Sequence, residues 1–484
     1  MKDFSLTHEL TGSNISVARR ILFTLGIIIL VRLGYFLLVP GIDSGVFYKL
    51  LLSLSPEEPK KWLNAVILLH ISKFRNFSLF SLGIMPYVNA CIIVQIITFL
   101  LPQFNRKIFC MSSGRRYLRR IALMIAIALS SMYAYSISLQ AEKLEQISNF
   151  KLIHRAGPLF QLLCVISMAA AASLFIVFSG LIEKFGIGNG VGVIFVSEVI
   201  MRIIFSFDQL FIFYARNRTQ IKQVFLFYII LIVFIYLVWR LTVFSKKIEL
   251  ISENQDKFIM HIRPSWSGVW PLIIVEAVLS FFSITLNDSI FWAIPLIIIL
   301  SSLLYLKIVY QPRRFYELIL AHGYRVAGFA NKRIADVLNH YSVLCAILSG
   351  ALLSLIYYLP LLMPLVLNIP FVSTAIFGAF GLIVLIGMAE NMKEQIAFYK
   401  IIQSHPKKSW SLLFVYSDES QAQIQKAYLN SHNICAQVKP SHFIWGMPVR
   451  TAVSGYYLYT PTEEKLKAEN MLKDLMDCWR QKEI

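Results

Sequence analysis

Glu198, in the run GIGNGVGVIFVSEVI, and Glu276, in PLIIVEAV, are the main ionisable groups inside long apolar stretches of this chain. Carboxylates at such depth are what a secondary transporter uses to bind a coupling ion or a charged solute, so that chemistry is one reading to weigh. Other chemistries find no constellation. The 9 histidines are dispersed, with no HExxH and no Ser/His/Asp arrangement to pick out, and the 6 cysteines form neither CxxC nor a metal-like spacing with histidine. The glycine run GIGNGVG fails the dinucleotide-binding pattern G-x-G-x-x-G, because Val191 stands at the last glycine's position, and no strand precedes it. An enzyme, a metal site, a nucleotide site and a disulfide framework are unsupported, and no cofactor is expected.

The elements that hold these groups are membrane helices. The chain has 484 residues, of which 57% are hydrophobic and 15% charged, and its mean hydropathy is +0.64. A soluble domain carries roughly a quarter charged residues. Runs of about 18 or more apolar residues are read as spans, because lipid satisfies no backbone polar group and a helix satisfies its own. Ten such runs are expected, at 20–39, 82–101, 120–139, 158–181, 190–212, 222–243, 268–286, 289–310, 340–363 and 371–390. Met1 to Val17 is polar, carries Asp3 and Glu9, and leads into Arg19 and Arg20, so the first span is expected to be a resident helix and not a cleaved signal.

Short loops rich in Lys and Arg stay in the cytoplasm. The connections after even-numbered spans hold Arg106, Lys107, Arg115, Arg116, Arg119 and Arg120, then Lys184, then Lys246, Lys247, Lys257 and Arg263, then Arg313, Arg314, Arg325, Lys332 and Arg333. The connections between spans seven and eight and between nine and ten have none. Lys49, Lys60, Lys61, Lys73, Arg75, Lys143, Lys151 and Arg155 run against the pattern, and the balance places both termini inside a multi-pass cytoplasmic (inner) membrane protein. The formal charge of +19 is mostly accounted for by this asymmetry, with contact to anionic lipid or ribosomal RNA as the remainder.

Composition turns mixed near residue 400. WSLLFVYSDE reads as a strand, SQAQIQKAYLNSH as a helix, ICAQVK and YYLYTP as strands, and TEEKLKAENMLKDLMDCWRQ as a closing amphipathic helix. That order weakly resembles compact ferredoxin-like adaptor domains, and a protein-binding appendage is its plain reading. The expected organisation is a cytoplasmic segment 1–19, a first five-helix half 20–212, a second half 222–399 and a cytoplasmic α+β domain 400–484.

A matched pair singles out the working helices. Span two opens with Gly83, Ile84, Met85, Pro86, and span seven with Gly268, Val269, Trp270, Pro271. Each is the second helix of its half, and halves of five helices that share a fold must have opposite topology. Gly and Pro interruptions at corresponding places in inverted halves point to the working site of a transport protein.

Five strings then occur in order: TLGIIILVRLGYFLLVPGID (24–43), SLFSLGIMPYVNACIIVQII (78–97), GIGNGVGVIF (186–195), SGVWPLII (267–274) and LIVLIGMAENMKEQI (382–396). They resemble the SecY family of protein-translocation channels over roughly residues 15 to 400. The resemblance implies an all-α membrane fold, two five-helix halves clamped around an hourglass pore that opens sideways between spans two and seven. It implies a plug before span two, here about Trp62 to Phe74, where WLNAVILLHISKF is apolar but too short to cross. Carried over position by position, the pore ring is Ile84, Val88, Val191, Phe195, Ile273 and Ile383. Apolar side chains conform to any passing chain and resist wetting. Asn89, Gln95 and Glu276 fall at the lateral gate, where Glu276 is positioned to hydrogen-bond Asn89 or Gln95; Arg32 matches the family and implies structural hydrogen bonds.

The resemblance also implies small SecE-like and SecG-like subunits, unfolded polypeptide clients, surrounding lipid, and a SecA-like motor or a ribosome as the drive. The motor loops depart from the family: AHGYRVAGFANKRIADVL keeps Gly323 and Gly328 but has Ala330 and Asn331 where Arg-Pro is expected. Arg325, Lys332, Arg333, Lys246 and Lys247 keep those loops basic. A SecY-derived scaffold or insertase that no longer conducts is therefore the competing reading, ahead of a secondary transporter.

Overall fold

The computed structural model describes residues 10–11, 16–43, 45–46, 77–100, 112–148, 153–201, 221–243, 246–252, 257–262, 271, 288–305, 324–326, 340, 343–358, 379–405, 409–416, 419–441 and 455–472. The chain divides into two compact units, one built on Ala18–Phe205 and one on Met1–Val17, Ser206–Val449 and Ser454–Ile484.

The first unit contains α1 (Val17–Gly34), α2 (Met85–Leu100), α3 (Ser112–Ser148), α4 (Pro158–Phe185) and α5 (Gly190–Met201). Over Tyr117–Lys143 and Pro158–Phe185, α3 and α4 are long and apolar enough to cross a bilayer. They pack through a stripe of small residues, Ala122, Ala126, Ser130, Ala134, Ser138 and Ala141 on α3, all buried, which lets backbones approach closely. The serines are satisfied on their own helix, Ser130 Oγ donating to Ala126 O at 2.7 Å and Ser138 Oγ to Tyr135 O at 2.7 Å. Cys164 and Met168 of α4 meet Ala134 and Val39 in one buried cluster. Leu22, Leu25, Ile29 and Leu33 of α1, and Leu159, Leu162 and Ile166 of α4, are exposed, an apolar surface suited to lipid.

The first span was expected to reach residue 39, but α1 stops at Gly34. Gly34 lies against the Phe80 ring with no room for a side chain, and the chain turns there. Residues 37–42 then pair with two segments: Leu79 N donates to Leu37 O at 2.7 Å, Val39 N to Phe77 O at 3.0 Å, and His154 N to Gly41 O at 3.0 Å. α4 opens with Pro158 in its first turn, after Gly157 at φ 124°. The Glu142 carboxylate of α3 accepts from Gly157 N and Gln161 Nε2, both at 3.0 Å, and so caps that start.

The second unit holds α6 (Ile221–Val243), α7 (Asp288–Tyr305), α8 (Val343–Tyr358) and α9 (Ala379–Gln403). Among the described residues, these answer to spans six, eight, nine and ten. Trp239 Nε1 of α6 donates to Glu390 Oε1 of α9 at 3.4 Å, and Ser302 Oγ of α7 to Ala346 O of α8 at 2.9 Å. α9 runs on to Gln403 as one helix, past the expected end of span ten at 390.

Two sheets belong to this unit. β2 (Lys246–Ser252) and β3 (Lys257–Ile262) form a hairpin, and β4 (Tyr324–Val326) pairs antiparallel with β2, giving the order β3-β2-β4. The other sheet has the order β1-β5-β7-β6, with β1 (Leu10–Thr11), β5 (Ser409–Tyr416), β6 (Gln437–Ser441) and β7 (Gly455–Pro461), every neighbouring pair antiparallel. β5 and β6 therefore run parallel with β7 between them, joined by α10 (Glu419–Ser431). A helix α11 over 465–472 closes the chain's described part.

Alternation along the strands gives this sheet two buried faces. On one, Leu413 and Leu458 pack with Leu429 of α10 and with Ala468 and Leu472 of α11. The other rests on α9. The rings of Phe398 and Tyr459 are 5.5 Å apart, Lys439 Nζ lies 5.3 Å from the Tyr399 ring centroid, and Gln395 Nε2 donates to Pro440 O at 2.7 Å. Pro440 fits because β6 is an edge strand, where a missing N–H costs no ladder bond.

Candidate pore and gate residues

The chain enters α2 through Gly83, at φ 55°, whose N donates to Phe80 O at 2.9 Å. Glycine takes that left-handed conformation without a Cβ penalty. Pro86 follows as the second residue of the helix, where its missing N–H would have had no intrahelical partner. Ile84 and Val88, one turn apart, are both buried, and Val88 N donates to Ile84 O at 3.2 Å.

GIGNG is a tight turn between α4 and α5, and each residue has a steric or bonding reason. A Cβ on Gly186 would lie 2.5 Å from Thr24 Oγ1, which accepts instead from Ile187 N at 2.9 Å. Arg20 Nη1 donates to the Lys184 and Gly186 carbonyls, both at 3.2 Å, supplying donors for the carbonyl end of α4. Gly188 takes φ 94°. The buried Asn189 caps α5, its Oδ1 accepting from Gly192 N at 3.2 Å. Gly190 abuts the Ser179 carbonyl, where a Cβ would collide with backbone. The turn thereby fixes where α5 starts, and with it Val191 and Phe195, both buried.

One turn further along α5, Tyr35 Oη donates to Glu198 Oε1 at 2.8 Å, and Arg32 Nη2 to Ser197 Oγ at 2.8 Å. Arg32 also lies 5.4 Å from the Tyr35 ring centroid. Asn89 Nδ2 reaches Tyr133 Oη of α3 at 3.4 Å. Pro271 is helical and buried. Ile273, Glu276, Lys332 and Arg333, and the side chains of Gln95 and Ile383, lie outside the described residues. Lys246 and Lys247 fall in β2, opposite Ile262 and His261 of β3, and Arg325 falls in β4 opposite Ile251 of β2. Among the described residues no three His, Cys, Asp or Glu group as a metal would need.

The SecY family model matches residues 78–392, well over half of the chain. The chain belongs to the SecY family. Its curated relatives include the protein translocase subunit SecY of Porphyra purpurea, 24% identical over 418 residues, covering 80% of this chain and 97% of that one. SecY of Thermus thermophilus is 23% identical over 421 residues, covering 80% and 93%. Among solved structures, a protein-conducting channel superposes with TM-score 0.53 at 16% identity, over 81% of this chain and 95% of that chain. Sec61 in the canine ribosome–channel complex of the endoplasmic reticulum gives TM-score 0.50 at 15% identity. The protein thus has the mostly helical SecY/Sec61 channel fold, and its relatives are protein-translocation channels, not enzymes in the usual sense.

Within this SecY-family frame, the residues that brace GIGNG went unread in the sequence. Arg20 reads in the sequence only as a charge before the first span, and nothing local singles out Thr24 or Ser197. Their partners lie more than 160 positions away, as in Ile187 with Thr24 (|i−j| 163) and Arg32 with Ser197 (|i−j| 165). Glu198, weighed as a solute-binding carboxylate, is 3% exposed and bonded to Tyr35.

Proposed function

We propose that this chain is the central channel subunit of a Sec-type protein translocase, passing unfolded polypeptides across a cytoplasmic membrane and releasing apolar segments sideways between spans two and seven. The observation that carries the reading is the pair of glycine-built turns before α2 and α5. They bury Ile84, Val88, Val191 and Phe195 in one unit, where the family ring requires apolar side chains. In this reading ten spans form two inverted halves, Ile273 and Ile383 complete the ring, and Gln95 and Glu276 face the lateral gate with Asn89. SecE-like and SecG-like subunits flank the channel, and a SecA-like motor or a ribosome drives it.

Pairing of β1 with β5 supports placing both termini on one side of the membrane, the cytoplasmic side by the loop charges. The tail reads as a ferredoxin-like split β-α-β domain in which the N-terminal strand occupies the edge that a fourth tail strand would fill. A second reading, a non-conducting insertase or scaffold, draws support from β4 pairing with β2, which ties together the two loops that a motor would need to contact.

The test is a photocrosslinking residue at Ile84, and separately at Ile273, with a stalled secretory chain in native membranes. Crosslinks at both positions are expected. Their absence, with the protein folded and bound to a SecE-like subunit, would leave the scaffold reading standing in place of the channel.

A further inference from the structure

Glu198 is a buried carboxylate on α5, and the site it touches is the Gly83 turn. An ideal Cβ placed on Gly83 falls 2.5 Å from Glu198 Oε1 and 3.4 Å from Tyr35 Oη. The same Oε1 accepts the Tyr35 hydroxyl at 2.8 Å. Carboxylate and phenol together close off the space behind the one residue whose φ of 55° redirects the chain into α2.

The rest of the setting is rigid. Tyr35 packs edge-on against Phe80 at 6.4 Å between ring centroids, and Phe80 packs against Phe175 of α4 at 5.0 Å. Arg32, over the Tyr35 ring, is bonded to Ser197 beside Glu198. α1, α4, α5 and the 77–84 segment therefore converge on this turn. A buried carboxylate is retained only where it is hydrogen-bonded, and here the bond is spent on a point where two segments meet.

We propose that Glu198 is a positioning residue for the gate helix: with Tyr35 it holds the Gly83 turn and fixes the direction in which α2 leaves it. The functional consequence, a tighter seal at rest, depends on the channel reading above; the contact itself does not. Losing the bond frees the first turns of α2, and with them Ile84 and Val88.

The experiment uses the full-length protein in lipid nanodiscs, with backbone hydrogen exchange followed over residues 83–91. Glu198→Ala and Tyr35→Phe should each speed exchange there roughly tenfold, the scale set by losing one buried hydrogen bond, while α3 and α4 exchange as before. Tyr35→Phe guards against a Glu198→Ala protein that fails to fold, since it removes one oxygen only. Glu198→Gln keeps an acceptor for Tyr35 and should stay within about threefold of the parent. Gly83→Ala should speed exchange too, and combining it with Glu198→Ala should cost less than the product of the single effects, because the carboxylate no longer occupies the Cβ position.

Exchange within about twofold of the parent in both Glu198→Ala and Tyr35→Phe would overturn the positioning role. Resting ion permeability in proteoliposomes is the second readout, expected to rise in Glu198→Ala and to return in Glu198→Gln. Faster exchange with no permeability in any variant would uphold the turn contact and refute the channel reading, so the two fail separately.

Discussion

Replacing Gly190 with alanine tests whether GIGNG is a steric device. The added Cβ would meet three backbone atoms of one residue, Ser179: its carbonyl oxygen, its carbonyl carbon at 2.5 Å and its Cα at 2.6 Å. No side chain can rotate away from such a contact. Restoring an ordinary carbon–carbon separation of about 3.5 Å requires α4 and α5 to part by about 1 Å. Overpacking of that kind costs about 3 kcal/mol, at the upper end of the usual range. For a unit of this size it lowers the melting temperature by roughly 6–12 °C. Gly26→Ala is the matched control, since a Cβ there meets nothing within 4 Å on the α1 surface. That change should be neutral or stabilising by up to about 1 kcal/mol, the helix-propensity difference. The assay is thermal unmasking of the buried thiols Cys91 and Cys164, both in this unit, with a thiol-reactive dye. Equal melting of the two variants would refute the steric account of the turn. Because α5 starts at Gly190, the same displacement moves Val191, so resting ion permeability should rise in Gly190→Ala and not in Gly26→Ala.

Two further predictions concern the tail. Burial holds the Lys426 ammonium on α10 below its usual pKa, with the nearby Cys435 opposing the shift, so the folded domain pays a penalty for the protonated form. The penalty is full at neutral pH and fades as pH rises through the folded pKa toward the unfolded value of about 10.4, so Lys426→Met should raise the melting temperature at pH 7 by more than at pH 10; a pH-independent gap would count against it. Gln395 Nε2 donates to both Asn391 Oδ1 at 3.0 Å and Pro440 O at 2.7 Å, so Gln395→Ala should weaken docking of the sheet on α9 by about 1–3 kcal/mol. Tryptic cleavage at Lys407 and Lys408 should then accelerate, and an unchanged rate would show that the aromatic contacts of Phe398 and Tyr399 suffice.

Among the described residues, hydropathy located the helices well and some of their ends poorly. α2, α4 and α6 start within a few residues of expectation, because an apolar run of membrane length has few alternatives to helix. α3 extends at both ends beyond 120–139, into SGRRYLRR and AEKLEQIS, since polar residues continue a helix in water as readily as apolar ones do in lipid. α1 ends early because Gly34 abuts Phe80, a contact across 46 positions that no local window sees. The β-α-β-β-α order of the tail was legible from alternation and turn signals. Its sheet partner was not, since two residues, Leu10 and Thr11, carry no periodicity. Pairing of β2 with β4 was hidden for the same reason: three residues of AHGYRVAGF give no strand signal by themselves. Gly83 and Pro86 announced a break at the right place, whereas the acceptor behind Gly83 became visible only with α5 beside it.

The strand Leu10–Thr11 leaves the ribosome first, and its partners Trp410 and Ser409 appear some 400 residues later. Between the two events the whole helical body must be inserted. The clasp therefore shuts last. The two ends of this sheet resist a pull unequally. Traction on the amino end peels a two-residue edge strand, one pair at a time. Traction on the carboxyl end meets α11, packed on the sheet through Ala468 and Leu472, and only then β7, which is held on both sides by β5 and β6. A protease that threads its substrates from one end should thus find the amino end of this protein the easier handle.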